Sequence, residues 1–464
     1  MTKPPWYPTP FMTPSTSPPS SSLGQDFWLF RFGQVISVIG DSCGNIALAW
    51  WVLDVTGSAA AMSSVLAPTM FIRIFLLPLC GPLGDRFPRK SLALLSDLWR
   101  GSLMLMVGVL IASGSPRIPL IACLYVLMAV GTALFNAISS SIVPQLVRKE
   151  QVGTAMRQTH AIASIGLVAG GALGGILVTW IGVEGAFLLN AACFFIAALA
   201  TWGIRADTTP GNREGGRTPI ALDEVGPGKV KRALPSLSPV LRSWWGELQE
   251  GFALLYRIPV LFWLSMVAMG LNFVLNPLSV ALPVLAKEGR GLPPWFLGAL
   301  EASIGAGSVL GALLLGRLAR RITADRLMVL SIALMGVAVA LLPRAPGWLG
   351  PLLAMFCLGL GNSWANIPFG SQLSMATPDR YRSRINSIFA FLCGGIGPLG
   401  VAFAGIAISR FGLQGMLGFT GLATVLLSPA LFRIPGFTAF MTAKPEEASR
   451  FFDTHYPAAF KGNS

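Results

Sequence analysis

Apolar stretches of about 20 residues recur from one end of this chain to the other, separated by short charged turns. A stretch of that length crosses a hydrocarbon layer ~30 Å thick as a helix. In lipid only a helix or a closed barrel satisfies every backbone N–H and C=O internally. Barrel strands would alternate polar and apolar over ~10 residues, and these stretches do not alternate. The pattern therefore dictates an all-α integral membrane protein. Charge agrees: 12% of residues are charged, about half the roughly 25% of a soluble domain.

Marking the stretches gives twelve spans. They fall at about 27–53, 60–82, 92–113, 118–142, 155–181 and 184–204, then at 258–285, 294–319, 326–343, 348–374, 385–409 and 413–434. Six spans, a long polar stretch and six spans outline two repeated halves around a midplane site. The expected organisation is a disordered tail over 1–26, a six-helix bundle over 27–204, a cytoplasmic linker over 205–257, a second six-helix bundle over 258–434 and a cytoplasmic tail over 435–464. The first tail is rich in Pro, Ser and Thr with no apolar core of a signal peptide. The linker is Gly/Pro-rich and charged, and its end, "SWWGELQEGFALLY", reads as an amphipathic surface helix.

A formal net charge of +14 would suggest nucleic acid in a soluble protein. Here Lys and Arg collect in alternate loops (Arg89 and Lys90, Arg148 and Lys149, Arg320 and Arg321), and the linker holds more. By the positive-inside rule those loops and both termini are cytoplasmic, and the charge serves anionic lipid rather than nucleic acid. The six cysteines lie inside apolar runs without CxxC spacing, and the two histidines are far apart. No metal site is expected from them. A phosphate-binding GxxxxGK[ST] loop is absent from the sequence, so neither a nucleotide nor another cofactor is expected.

The turn after the second span, "GPLGDRFPRK" (81–90), has a degenerate echo after the eighth, "GRLARRITADR" (316–326). The echo keeps Gly316, Leu318 and a basic cluster with Arg320 and Arg321, but places Ala319 and Arg320 where the first copy has Gly84 and Asp85. Basic turns at matched positions of both halves point to a conformational latch built from Gly81, Asp85, Arg86, Arg89 and Lys90. In that reading Asp85 pairs across to a neighbouring helix and the basic residues hold the loop at the lipid surface.

These residues resemble the major facilitator superfamily, whose turn between spans two and three has the form Gly-x-Leu-x-Asp-Arg-x-Gly-Arg-Arg/Lys. The chain matches at Gly81, Leu83, Asp85, Arg86, Arg89 and Lys90, with Pro88 in place of Gly. That Pro, with "GQVISVIGDSCGNIALAWWVLDVTGS" (33–58), "SIVPQLVRKEQVGTAM" (141–156) and "YRSRINSIFAFLCGGIGPLG" (381–400), is similar to the third drug:proton antiporter branch, which includes macrolide and enterobactin exporters. The resemblance implies a secondary transporter, not an enzyme, in a bacterial inner (plasma) membrane. It would be a monomer driven by the proton gradient, exporting a small amphipathic molecule, drug-like or a siderophore. One departure stands out: in "GLVAGGALGG" the chain has Gly171 where drug antiporters carry Pro. Uptake or facilitated diffusion by the same fold is the alternative, and a non-transporting membrane sensor a remote one.

An ionisable group inside a span costs at least ~2.5 kcal/mol on insertion scales and is a functional candidate by default. Arg31, Gln34, Ser37, Asp41 and Asn45 follow spacings of three and four, which places them on one helix face. A polar stripe in a membrane helix must face protein or water, so the stripe is expected to line a central cavity. Asp41 would carry protons or bind substrate, or else pair structurally with Arg31 or another Arg. Glu301 is the counterpart in the second half. Arg73 can pair with Asp41, attract an anion or snorkel to the interface. Asp97 and Arg100, three apart, are expected to pair locally and support the latch rather than the ligand. Asn272 with Asn276, and Asn362 with Asn366, are i,i+4 pairs able to bond substrate or other helices. Gly166, Gly170 and Gly174 recur every four residues, a small face for close helix packing.

Overall fold

A computed structural model describes residues 23–84, 87–114, 117–206, 208, 246, 249–448 and 450–457. The tail over 1–22 and the linker over 209–245 lie outside the described residues. The first half consists of α1 (Gln25–Thr56), α2 (Ala59–Gly84), α3 (Arg89–Ala112), α4 (Ile118–Leu146) and α5 (Val152–Trp202). The second consists of α6 (Pro259–Leu275), α7 (Leu278–Val284), α8 (Pro294–Leu318), α9 (Ala324–Leu341), α10 (Leu349–Ala376), α11 (Asp379–Gly395) and α12 (Gly397–Ala430).

Among the described residues, ten helical stretches are long and apolar enough to cross a membrane, and two of them are too long for one crossing. Val168–Trp202 has 35 residues and would run roughly 50 Å at 1.5 Å per residue. It is broken by Gly182 (φ 75°, ψ 177°), a conformation that only glycine adopts cheaply. The chain doubles back there: Gly170 and Gly174 before the break, and Asn190 and Cys193 after it, all lie against residues 38–44 of α1. Ile388–Arg433 is broken in the same way by Gly412 (φ 72°, ψ 168°). Gly400 on one arm and Leu427 on the other both meet α6, at Phe273 and Gly270. Splitting both gives twelve crossings in two six-helix bundles, with the two breaks in the gaps that the apolar pattern leaves at 182–183 and 410–412.

Two crossings depart from the expected single rods. The one expected over 258–285 breaks between α6 and α7 at Asn276 and Pro277, and Pro277 has no N–H to continue the helix. It ends in a π-helical turn, Leu285–Gly289. The one expected over 385–409 begins earlier, at Asp379, and breaks at Ile396 just before Pro398. The two breaks meet in space, for Gly397 lies against the Asn276 amide and Met70 of α2.

Chain 435–464, expected as a tail, is in part a packed structure. Short helices α13 (Phe437–Thr442), α14 (Pro445–Ala448) and α15 (Phe451–His455) bury Phe437, Phe440, Phe451 and Phe452 against Val260 and Leu264 of α6 and Leu373 of α10. Gln372 of α10 donates to the carbonyls of Met441 (3.2 Å) and Ala443 (3.1 Å). The closing part of the linker is helical over 249–256, with Leu254 and Leu255 buried and Phe252 and Tyr256 exposed.

Candidate functional site: two chambers and a seam

Inside the first bundle a cavity of about 240 Å3 is lined by Arg31, Gln34, Ser37 and Asp41 of α1, Arg100 of α3, and Asn136 and Ser139 of α4. The one-face spacing of the α1 stripe thus gathers four of its five residues here. The fifth, Asn45, is exposed one turn beyond and lines no part of it. Buried Arg31 lies 5.5 Å from the Phe27 ring centroid and 5.4 Å from that of Phe30, and donates to Gln34, which donates in turn to Ser139. Arg31 is therefore engaged with Gln34 and not with Asp41. The Asp41 carboxyl has the Asn190 side chain as its hydrogen-bond neighbour, and the cations acting on it are Arg100 and exposed Arg73 of α2.

Asp97 and Arg100 form the expected local ion pair within the third span, nearly fully buried. The pair lies more than two turns inside α3, away from the latch, and Arg100 opens onto the Asp41 chamber. Phe135 of α4 and Phe194 of α5 hold the guanidinium between them, each ring centroid 4.4 Å away.

The second bundle holds a larger cavity, about 360 Å3, lined by Asn272, Asn362 and Asn366 with Met328, Met335, Phe369, Phe389 and Cys393 among other apolar groups. Among the described residues, none that lines it is an acid or a base. The amide N–H groups are partly spent on their own helices: Asn272 donates to the Ala268 carbonyl at 2.9 Å, and Asn366 to the Asn362 carbonyl and side-chain oxygen at 2.9 Å each. Asn276 lies outside this chamber, its amide donating to the Asn272 carbonyl at 2.7 Å.

Glu301 joins neither set. Its Cβ stands against Gly171 of α5, on the seam where α5 and α8 of opposite bundles touch. Gly166, Gly170 and Gly174 face α1, whereas Gly171 and Gly175 face α8, so "GLVAGGALGG" packs against two helices at once. Sequence reasoning missed the second register, although Gly171 and Gly175 repeat the same four-residue interval one position later. Gly298 of α8 meets Gly175 backbone to backbone.

Further contacts between bundles cluster on the end of the molecule remote from the start of α1. The Lys287 ammonium, on the π turn, pairs with Asp54 of α1 at 2.5 Å and lies 5.3 Å from the Trp50 ring centroid. The Trp295 N–H donates to Thr179 Oγ1 at 2.9 Å. Gly405 of α12 lies against Ala60 and Ser63 of α2.

Of the latch residues, Gly81 lies in the last turn of α2, which ends at Gly84, while Asp85 and Arg86 lie outside the described residues. Arg89 and Lys90 do not simply face lipid as expected. Arg89 donates to the Ser141 carbonyl of α4 at 2.9 Å, and Lys90 donates from Nζ to the Ile204 carbonyl at 2.5 Å and from its backbone N–H to Thr208 Oγ1 at 2.9 Å. Carbonyls at a helix end lack intrahelical donors and favour a cation, which draws Lys90 to the end of α5. The echo residues Gly316, Arg320 and Arg321 are exposed around the turn from α8 to α9.

Residues 31–402 match the family model of the Major Facilitator Superfamily. Macrolide efflux protein A of Streptococcus pyogenes is 23% identical over 87% of this chain and 94% of its own length. The multidrug efflux pump Tap of Mycobacterium tuberculosis is 23% identical over 93% of this chain and 98% of its own. The crystal structure of nucleoside transporter NupG superposes with a TM-score of 0.65 at 14% identity, over 91% of this chain and all of that one.

Proposed function

The chain belongs to the Major Facilitator Superfamily, and from that premise we propose that it is a proton-coupled exporter of small amphipathic molecules, drug-like compounds or siderophores. A transporter of this family is a multi-pass protein of the lipid bilayer and not an enzyme. The observation that carries the finer reading is the division of labour between the chambers. Asp41 sits among arginines in a charged chamber of one bundle. The other bundle offers an uncharged chamber of amides, Met, Leu and Phe, the apolar lining with few polar groups expected of a small-molecule site.

In this reading the protein works as a monomer in the bacterial plasma membrane with both termini cytoplasmic, an orientation supported by the basic loops. A proton loads on Asp41 from outside, the bundles rock, and the proton leaves inside as the cargo is exported. The gradient is the energy source and no cofactor takes part. Export is supported by the efflux proteins among the relatives. Glu301, on the seam, is placed to respond to rocking itself. The test is dye or drug uptake into everted vesicles under an imposed pH gradient. Asp41→Asn is expected to abolish gradient-driven flux, and full flux in that variant removes Asp41 from the mechanism.

A further inference from the structure

A buried ion pair is expensive in a membrane bundle, and Asp97 with Arg100 is such a pair: the residues are 1% and 2% exposed. Arg100 is also immobile by construction. Two aromatic faces hold it, Nη2 donates to Asp97 Oδ1, and Nε points at the Ser96 carbonyl at 3.4 Å. Its charge therefore faces the Asp41 chamber. Inside a protein, opposite charges a few ångströms apart interact far more strongly than in water.

Taken alone, that cation works against coupling. A cation beside Asp41 favours the carboxylate, whereas coupling needs a carboxyl that both takes a proton and gives it up. The other groups around Asp41 do not offset it. Arg73 from α2 and Arg31 from its own helix add positive charge, while the Asn190 amide from α5 is neutral, as are Tyr125 from α4, Cys43 and Cys193 while they keep their protons. Asp97 is the acid that faces Arg100, and its second oxygen, Oδ2, is buried with no partner among the described residues.

We propose that Asp97 is a positioning residue for proton coupling: it neutralises the clamped Arg100, so that Asp41 is free to gain and lose its proton during the cycle. The proposal rests on Asp41 as the coupling group. It gives a role to the D-x-x-R spacing of α3, which brings the two side chains together one turn apart while Arg100 reaches the chamber.

Charge logic predicts opposite effects for the two partners. Asp97→Asn leaves Arg100 unopposed, and Asp41 then needs a more acidic medium to take its proton. Arg100→Gln leaves Asp97 unopposed, and Asp41 takes its proton at higher pH. The double variant removes both charges and returns between them. The measurement is the pH titration of the protonated-carboxyl infrared band of the purified, ligand-free protein, with Asp41→Asn identifying the Asp41 component. Shifts of about one pH unit or more, tenfold in proton affinity, are expected in the two opposite directions. A merely structural pair would lower the yield of folded protein in all three variants and leave the midpoint of the Asp41 component in place, which overturns the proposal. An Asp41→Asn spectrum identical to wild type at every pH would instead remove the coupling reading on which the proposal stands. Should Asp97→Asn fail to fold, Arg100→Gln and the double variant decide the question alone: no alkaline shift relative to wild type in Arg100→Gln counts against it.

Discussion

Replacing Gly298 by Ala should unseal one end of the molecule. A Cβ at 298 would stand 2.7 Å from Gly175 Cα and 2.9 Å from its nitrogen, and one at 175 would stand 2.8 Å from Gly298 Cα. Comfortable carbon contacts lie at about 3.5–4.0 Å, so α5 and α8 must part by roughly 1 Å. The obstructing atoms are backbone, and no side chain can swing away. Such overpacking costs about 1–3 kcal/mol, incurred only while the seam is closed. Opening at that end is then favoured by roughly 5- to 150-fold. Ala is also the better helix former by about 1 kcal/mol, so a weaker α8 cannot be the cause. Ser63, 4% exposed, lies in the other seam against Gly405. A Ser63→Cys thiol therefore reports opening of the whole end rather than a local disturbance at 298. Its labelling by a membrane-impermeant maleimide is expected to speed up at least fivefold with Gly298→Ala. Gly316, with open space around its Cβ position, is the control. An unchanged rate in folded Gly298→Ala, or an equal rise in Gly316→Ala, would refute the reasoning.

Reversing the Asp54–Lys287 clasp gives a smaller effect of the same kind. Asp54 is 70% exposed in that pair, and exposed pairs are worth about 0.2–1 kcal/mol. Asp54→Lys or Lys287→Asp should raise Ser63→Cys labelling no more than about fivefold, and the double swap should restore it; no recovery in the swap denies the pair a role. Truncating Phe452, fully buried with its ring stacked 5.6 Å from Phe440, removes core packing worth about 3–5 kcal/mol. Phe452→Ala should lower the thermal unfolding midpoint in detergent, and an unmoved midpoint would mean the 437–455 segment is not docked.

The crossings were legible because their physics is one-dimensional: hydrocarbon demands about 20 apolar residues, and Gly182 and Gly412 fall in the gaps between runs. The α1 stripe was legible for a similar reason, since Arg31, Gln34, Ser37 and Asp41 need only helical spacing to share a face. What the sequence withheld depends on which helix lies opposite. Nothing in "GLVAGGALGG" says that Gly174 meets α1 while Gly175 meets α8. Nor does the spacing of Asp97 and Arg100 say that Phe135 and Phe194 close on the guanidinium. Lys90 reads as a lipid-facing cation until the free carbonyl of Ile204 appears beside it. The 437–455 segment looked like a tail because its four phenylalanines are scattered over short helices without the length of a span.

On the proposed mechanism, a proton bound in one bundle must be felt by the other, and the contacts differ in their capacity to transmit it. The α5–α8 seam is built from glycine backbones and responds to shape, not to charge. The Asp54–Lys287 clasp is ionic, but Asp54 stands thirteen residues from Asp41 on α1, about 20 Å along the helix. That exceeds a Debye length of roughly 8–10 Å for an exposed pair. Helix α2 is different. Its Arg73 is among the cations that act on Asp41, and within one turn of it Met70 lies against Gly397 and Ile74 near Gly394. Phe75, two positions further on, meets Phe391 with ring centroids 5.7 Å apart. Those partners flank the break at Ile396, where α11 gives way to α12. On that mechanism a change in the charge of Asp41 would alter the field on Arg73, and α2 would carry the response to this break in the second bundle. If Asp41 carries the proton as proposed, α2 is the contact that would link it to the second bundle.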